Sequence, residues 1–258
     1  MNELTKKIVC ITGASSGIGE ACALEFARQG CALILSARRL ERVERLAAAL
    51  QSAHGTKTHT GRLDVRDPDA VMNFFEGLPP QWQDIDVLIN NAGLSRGLDK
   101  LYEGKLPDWE EMIDTNVKGL LYVSRAVVPG MVRRNRGHII NIGSIAGHQV
   151  YPGGNVYCAS KHAVKALSDG LKMDLLGTAV RVTSIDPGLV ETEFSVVRFH
   201  GDAGRAAKTY ENLKPLTGTD IAEIAVFCAT RPPHVNILDT IVVPIAQASV
   251  SHVSRDTR

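Results

Sequence analysis

The sequence predicts an α/β fold, a seven-stranded doubly wound parallel sheet with helices on both faces. Two observations lead to this prediction: short apolar runs recur after helical stretches, and a glycine-rich turn follows the first run. Strands of a parallel sheet are buried on both faces, so they are continuously apolar rather than alternating. The expected strands are 8–11, 32–35, 87–89, 139–142, 180–185 and 237–243, with a weaker one at 58–63.

Length and composition favour one domain. The chain has 258 residues and 44% hydrophobic content, which is enough for a substantial core. We see no linker or repeat, and we expect a catalytic domain over 1–248 and a polar C-terminal tail over 249–258 that frays.

The glycine-rich turn predicts a dinucleotide site. It joins the first strand to an amphipathic helix, and the strand 32–35 closes the unit. Glycines here allow a tight turn and a close approach of the backbone to pyrophosphate, and the helix amides then face the phosphates. The candidate residues are Gly13, Ser15, Ser16, Gly17, Ile18 and Gly19.

The end of the second strand predicts which dinucleotide binds. An NAD site usually has an acidic residue there for the ribose hydroxyls. This chain instead has Ser36, Arg38 and Arg39, and a guanidinium can pair with a 2′-phosphate. We therefore predict NADP(H), with Arg38 as the main phosphate ligand and Ser36 and Ser15 as lesser donors. The alternative for Arg39 is an exposed position at the start of the next helix.

A tyrosine and a lysine predict the chemistry. Tyr157 and Lys161 are four residues apart, so a helix places them side by side. A nearby cation lowers the pKa of a phenol and prepares it for proton transfer to an oxygen. Ser144 follows the strand 139–142, at the edge where open α/β sheets bind ligands.

Together these motifs resemble the main subgroup of the short-chain dehydrogenase/reductase family, which has a Rossmann fold. The residues that carry the resemblance are 12–19, 90–93, Asn116, Ser144, Tyr157, Lys161 and 187–188. The resemblance implies that Tyr157 is the general acid/base, that Lys161 lowers its pKa and holds the nicotinamide ribose, and that Ser144 orients the substrate carbonyl. It also implies that Asn116 binds a water linking Lys161 to solvent.

The same resemblance implies further cofactor contacts. Asp64 and Val65 would border the adenine, although Asp64 has the alternative of a turn or helix-capping residue. Asn91, Ala92 and Gly93 would line the ribose and support the sheet. The nicotinamide pocket would be formed by Pro187, Gly188, Val190 and Thr192.

The segment 189–202 is expected to form loops above the nicotinamide and to choose the substrate. Its cation Arg198 could bind a carboxylate or sulfonate, or could pair with Asp202 or Glu193 in solvent. We predict Ser144, Asn155, Tyr157 and Arg198 as substrate-binding residues. The runs 193–199 and 233–237 resemble NADP-dependent 3-hydroxy acid (serine or allo-threonine) dehydrogenases, and sulfoacetaldehyde reductases are similar to that subgroup.

The resemblance thus implies an NADP(H)-dependent oxidoreductase that interconverts a short anionic hydroxy compound and its aldehyde or ketone. Sulfoacetaldehyde reduction to isethionate, broad carbonyl reduction and a non-catalytic NADP(H)-binding regulatory role remain as alternatives. Relatives in the subgroup imply a homotetramer, for which the apolar region 237–248 could supply an interface strand.

Charge and cysteine content argue against other classes. A net charge of +1 gives no reason to expect nucleic acid or a membrane as partner, and no signal-peptide core or apolar stretch of about 20 residues is present. Five cysteines without CxxC spacing favour buried thiols in a reducing compartment and no metal site. We expect a cytoplasmic protein.

Overall fold

A computed structural model describes residues 4–255 and contains one parallel seven-stranded sheet. The strand order is β3-β2-β1-β4-β5-β6-β7, and every neighbouring pair is parallel. The single-domain doubly wound fold predicted from the apolar runs is therefore confirmed. The strands are β1 Ile8–Thr12, β2 Ala32–Ala37, β3 Thr58–Arg62, β4 Val87–Asn90, β5 Gly137–Ile142, β6 Val180–Pro187 and β7 Asp239–Val242.

Helices cover both faces of the sheet. One buried cluster joins the sheet to α1, α2 and α9, and a second joins its other face to α3 and α5. The helices are α1 Gly17–Arg28, α2 Leu40–His54, α3 Pro68–Glu76, α4 Leu106–Ile113, α5 Gly119–Arg133, α6 Asn155–Asp174, α7 Phe194–Arg198, α8 Ala203–Lys208 and α9 Gly218–Ala229. Among the described residues, no helix is long and apolar enough to span a membrane.

Local sequence signals explain several helix boundaries. Asp67 caps α3 by accepting a 3.0 Å hydrogen bond from the amide of Ala70, and Pro68 occupies the first turn. Thr217 and Asp220 form a reciprocal capping box at the start of α9. Gly55 ends α2 with a φ of 65°, a left-handed conformation that costs glycine little.

The sheet topology positions the site. The strand order reverses at β1, whose neighbours are β2 on one side and β4 on the other. A crevice forms at the carboxyl ends of the strands at such a switch point, because the following helices leave on opposite faces. The loops after β1, β2, β4, β5 and β6 all reach this edge, which brings the predicted motifs together.

The C-terminal segment differs from the expected frayed tail. Residues 249–255 fold back on the domain: Val253 bridges Gln247, the Val250 amide donates a 2.9 Å hydrogen bond to Gln149, and Arg255 donates to the Thr209 and Glu211 carbonyls. Polar composition suggested disorder, but these backbone hydrogen bonds hold the segment. Residues 256–258 of the predicted tail lie outside the described residues.

Candidate active site

A cleft of about 930 Å³ lies at the carboxyl ends of the strands. It gathers most of the residues predicted from the motifs. The predicted residues that line it are Gly13, Ser15, Ser16, Gly17, Ile18, Arg38, Arg39, Asp64, Val65, Asn91, Ala92, Gly93, Ser144, Tyr157, Lys161, Pro187, Gly188, Val190, Thr192 and Arg198.

The glycine turn has the shape that a dinucleotide requires. Gly13 and Gly17 have φ values of 67° and 60°, which disfavour side chains. A Cβ on Gly13 would lie 2.9 Å from the Cα of Ala92. Asn91 donates to the carbonyls of Thr12 and Gly13 at 2.9 and 3.1 Å, so it holds the turn in place. Gly19 packs beneath the turn, where a Cβ would meet the Asn91 amide at 2.4 Å, and it does not line the cleft.

The end of β2 presents two arginines to the cleft. Arg39 donates to the hydroxyls of Ser15 and Ser16 at 3.1 and 2.9 Å, and Arg38 lies 3.4 Å from the carboxylate of Glu111. These cations beside the glycine turn fit a dinucleotide that carries an extra phosphate. Arg39 does lie at the start of α2, as its alternative placed it, and its side chain is 42% exposed, but the guanidinium turns toward the glycine turn.

Ser36 does not belong to this group. It is fully buried, and its hydroxyl faces the carbonyl of Ile11 at 3.5 Å inside the sheet. Its prediction as a phosphate donor is wrong, because alternation along β2 turns its side chain toward the core.

Asp64 lines the cleft and also makes the turn that was its alternative. It accepts hydrogen bonds from the backbone and the side chain of Arg66 and pairs with it at 2.6 Å. Burial alone would raise the pKa of Asp64, but the hydrogen bonds from Arg66 and the charges of Arg66 and Arg38 lower it. The carboxylate therefore stays ionised beside the position expected for adenine.

Tyr157, Lys161 and Ser144 meet on the other side of the cleft. Tyr157 and Lys161 lie on α6 with 8% and 6% exposure, and Ser144 follows β5. The ammonium of Lys161 donates to the carbonyl of Ile142 at 2.9 Å and lies 5.9 Å from the centroid of the Tyr157 ring. A phenol, a hydroxyl and an ammonium thus converge on one point, as general acid catalysis at an oxygen requires.

The pKa of Tyr157 differs from the sequence prediction, in which Lys161 alone lowers it. Burial raises the pKa of Tyr157, and the charge of Arg198 and a hydrogen bond with Ser144 act against this rise. Burial lowers the pKa of Lys161 to about 8, and the charge of Asp186 opposes this. Arg198 is thus a second cation beside the phenol, and its charge is the main influence that opposes the rise in the pKa of Tyr157.

Asp186, at the end of β6, belongs to a cluster with His148 and Asp239. Its carboxylate is 2.6 Å from the Nε2 of His148 and accepts a 2.7 Å hydrogen bond from Ser184. Burial and the neighbouring Asp239 carboxyl raise the pKa of Asp186 to about 6. The cluster has the residue types of a cation site, but the ammonium of Lys165 lies 3.5 Å from Asp239 and balances the charge.

Two predicted asparagines occupy different positions. Asn116 is buried in a π-helical turn, Asp114–Lys118, and its side chain bonds both backbone groups of Leu94 at 2.8 Å and the Ser160 hydroxyl at 3.0 Å. Its side chain is therefore used to hold the loop after β4 beside Lys161. Asn155 is exposed at the start of α6 and does not line the cleft. It lines an adjoining cavity of about 20 Å³ that shares Arg96 and Tyr157 with the cleft, so its role as a substrate ligand stays a prediction.

Several cleft residues were missed. Tyr151 and Phe194 contact Arg198, Glu193 bridges Arg39 and Arg42, and Arg96 reaches the loop that carries Arg198. Gln247 and Val250 arrive from the C-terminal segment. Tyr151 could have been found from the sequence, because it is an aromatic residue in the loop just before Tyr157. The other missed residues reach the cleft through long-range packing, which no local motif indicates.

Comparison with known proteins identifies the family of the chain. The family model described as short chain dehydrogenase matches residues 7–202. An "NADP-dependent 3-hydroxy acid dehydrogenase YdfG" from Salmonella typhi is 52% identical over 242 residues, 93% of this chain and 96% of that protein. "Sulfoacetaldehyde reductase 2" from Chromohalobacter salexigens is 44% identical over 251 residues, 96% of this chain and 99% of that protein.

A solved structure, "The Closed form of serine dehydrogenase complexed with NADP+", is also similar. It is 48% identical and superposes with a TM-score of 0.90, covering 96% of this chain and 100% of that one. The family resemblance predicted from the motifs is confirmed, and the chain belongs to the short chain dehydrogenase family.

Proposed function

We propose that this protein is an NADP(H)-dependent oxidoreductase that interconverts a short anionic hydroxy compound, of the 3-hydroxy acid type, and its aldehyde or ketone. The observation that carries this proposal is the place of Arg198. Its guanidinium lies 5.3 Å from the centroid of the Tyr157 ring and 5.0 Å from that of Phe194, and it donates to the Tyr151 hydroxyl at 3.0 Å. A partly buried cation beside the proposed acid would bind an anionic group of a short carbonyl compound.

The other atoms of Arg198 support the same interpretation. Its Nε is buried without a hydrogen-bond partner among the described residues. Neither Asp202 nor Glu193 pairs with it: Asp202 caps α8 and Glu193 pairs with Arg39 and Arg42. A cation without a carboxylate partner in the described part of the cleft retains donors for a ligand.

Each residue of the cleft has its own role in the proposed reaction. The nicotinamide, when bound, supplies or accepts the hydride. The hydroxyls of Ser144 and Tyr157 bind the substrate oxygen, Tyr157 transfers the proton to it, and the charge of Lys161 stabilises the phenolate that remains. The glycine turn would hold the pyrophosphate, and Arg38 and Arg39 the 2′-phosphate.

Arg198→Ala tests the anion site. We expect kcat/KM for malonate semialdehyde and for sulfoacetaldehyde to fall roughly 100-fold, since removing one member of a buried charge pair costs several kcal/mol. The kcat/KM for propanal, which has no anionic group, should change by less than about threefold on the same argument. Arg205→Ala is the matched control, because Arg205 is exposed and lies outside the cleft. Equal losses for all three aldehydes would contradict an anion site and favour a broad carbonyl reductase.

Sulfoacetaldehyde reduction is the second candidate. A relative 44% identical over nearly the whole chain is named for that activity, and a sulfonate presents oxygens to a guanidinium as a carboxylate does. The ratio of kcat/KM for the two anionic aldehydes in the unmodified enzyme decides between them.

The pH dependence should follow Lys161. Its pKa is lowered to about 8 by burial, so carbonyl reduction is expected to decline above about pH 8 as the ammonium loses its proton. Asp186→Asn removes the charge that raises this pKa, and the decline should move to lower pH. Asp169→Asn, on the exposed side of α6, serves as the control. If the rate of carbonyl reduction in Asp186→Asn declines at the same pH as in the unmodified enzyme, the assignment of this decline to Lys161 is contradicted.

A homotetramer is our proposal for the assembly. Leu238 and Ile241 are 54% and 51% exposed at the β7 edge, Phe227 on α9 is 47% exposed, and Ile245 is fully exposed. We propose that these exposed apolar side chains pack against another copy of the chain. Ultracentrifugation should give the mass of four chains, and Ile245→Glu should shift it toward smaller species; a monomer in the unmodified protein would contradict the proposal.

The cytoplasm is the proposed location. All five cysteines are buried and unpaired, as the sequence predicted, which suits a reducing compartment. Cell fractionation would test this.

A further inference from the structure

We propose that Arg96 is a positioning residue that fixes the turn carrying Arg198 over Tyr157. The inference rests on the proposed function, in which Arg198 binds the anionic group of the substrate. Arg96 follows β4 and lines the cleft, yet nothing in the predicted chemistry uses it.

The first support is a pair of contacts to consecutive backbone carbonyls. The Nη1 of Arg96 donates to the carbonyl of Val197, and the amide of Gly97 donates to the carbonyl of Arg198 at 2.9 Å. These two residues at the end of α7 are thereby joined to the loop after β4. Because α7 has only five residues, it has little stability of its own and depends on such contacts.

The second support is the carboxylate that orients Arg96. The Nε of Arg96 donates to Glu111 at 2.7 Å, and the two side chains are only 18% and 19% exposed. Burial would raise the pKa of Glu111, but the hydrogen bond and charge of Arg96 and the charges of Arg38 and Arg66 lower it. A carboxylate that stays ionised in α4 therefore directs the guanidinium toward α7.

The hydrogen bonds of Arg96 indicate that it positions another residue and does not itself bind the substrate. Two of the Arg96 nitrogens are already used, one by Glu111 and one by Val197. In contrast, Arg198 offers a buried Nε without a partner among the described residues. The structure thus assigns anion binding to Arg198 and its orientation to Arg96.

The substrate loop is also tied to the cofactor arginines at its other end. Glu193, just before α7, pairs with Arg39 at 2.8 Å and with Arg42 at 2.6 Å. With the carbonyl of Val197 held by Arg96, α7 is anchored on both sides. Loss of the Arg96 anchor is expected to free only the end that carries Arg198.

The test uses Arg96→Met, which removes the donors and keeps an unbranched chain, and Arg96→Lys, which keeps the charge near Glu111. With NADPH, we expect Arg96→Met to raise the KM for malonate semialdehyde about tenfold, since a hydrogen bond to a charged group is worth about that factor. NADPH affinity, the kcat for that substrate and the KM for propanal should stay within about twofold. Arg96→Lys should give an intermediate KM.

A double-mutant cycle distinguishes positioning from binding. If Arg96 acts through Arg198, then adding Arg96→Met to Arg198→Ala should change the KM for malonate semialdehyde by less than about twofold. Full additivity would overturn the proposal, because Arg96 would then act independently of Arg198. Arg205→Met is the control, since Arg205 lies over the Phe199 ring without bonding the backbone at 197 or 198.

Hydrogen exchange supplies a readout that does not depend on substrate charge. Peptides covering 194–201 should exchange about tenfold faster in Arg96→Met and at the unmodified rate in Arg205→Met. Unchanged exchange in Arg96→Met would overturn the positioning role. Faster exchange in Arg96→Met, together with equal losses of kcat/KM for anionic and uncharged aldehydes in Arg198→Ala, would support the anchor and refute the anion site of the proposed function.

Discussion

Tyr157→Phe is expected to lower kcat for carbonyl reduction by roughly 100- to 10,000-fold, the range that general acid catalysis contributes. The phenol is buried beside Ser144 and Arg198, so no solvent group can readily replace it as the proton donor. The variant keeps the ring that packs against Phe194 with centroids 5.6 Å apart, so the fold should be unchanged. Stopped-flow measurement of NADPH oxidation reads the effect.

The control for that variant is Tyr122→Phe, which removes a phenolic hydroxyl from α5, outside the cleft. It should retain full turnover, and the affinity of Tyr157→Phe for NADPH, measured by fluorescence, should be unchanged. Near-normal turnover in Tyr157→Phe would refute its role as the acid.

Arg38→Ala is expected to raise the Kd of NADPH by about 10- to 100-fold, since a hydrogen bond to a charged group contributes roughly 1.5–3 kcal/mol. The Kd of NADH should change by less than about twofold, because NADH has no 2′-phosphate. Isothermal titration with both dinucleotides measures the two effects. An equal loss for NADPH and NADH would remove the phosphate role of Arg38.

Two further variants make the cofactor result specific. Arg39→Ala should weaken both dinucleotides, because Arg39 also holds the Ser15 and Ser16 hydroxyls of the glycine turn. Arg45→Ala, farther along α2 and bonded only to the Glu41 carbonyl in this structure, should weaken neither. Salt should reduce the NADPH preference of the unmodified enzyme, since Arg38 is about half exposed.

Local patterns were sufficient for most of the fold. Apolar runs located six of the seven strands and β3 was predicted more weakly, and observed boundaries differ from the predicted ones by a few residues. The weakest prediction was β3, whose sequence Thr-His-Thr-Gly-Arg is polar because it lies at the edge of the sheet. The tail was misjudged because hydrogen bonds to distant residues, such as that from Val250 to Gln149, leave no trace in composition.

The sequence placed site residues correctly in the cleft where their position depends on the local backbone. The glycine turn and the Tyr157 and Lys161 pair each lie on one element, and the structure brings them to one cleft as the spacing predicted. The prediction for Ser36 failed because the direction of a side chain at a strand end depends on what packs against it. The sequence predicted a lowered pKa for Tyr157, but burial raises it. Residue spacing indicates which side chains are close together and does not show how deeply they are buried.

The sequence by itself determined the fold class and the family and predicted the cofactor cleft and the acid Tyr157, because each of these depends on residues that are close together in the chain. Only the tertiary structure decided how the substrate end is built. There Arg198 contacts Tyr151 and Tyr157, while Arg96 in the loop after β4 and Glu111 in α4 support it. These residues are up to about a hundred positions apart, and only packing of the sheet and its loops brings their charges within hydrogen-bond distance.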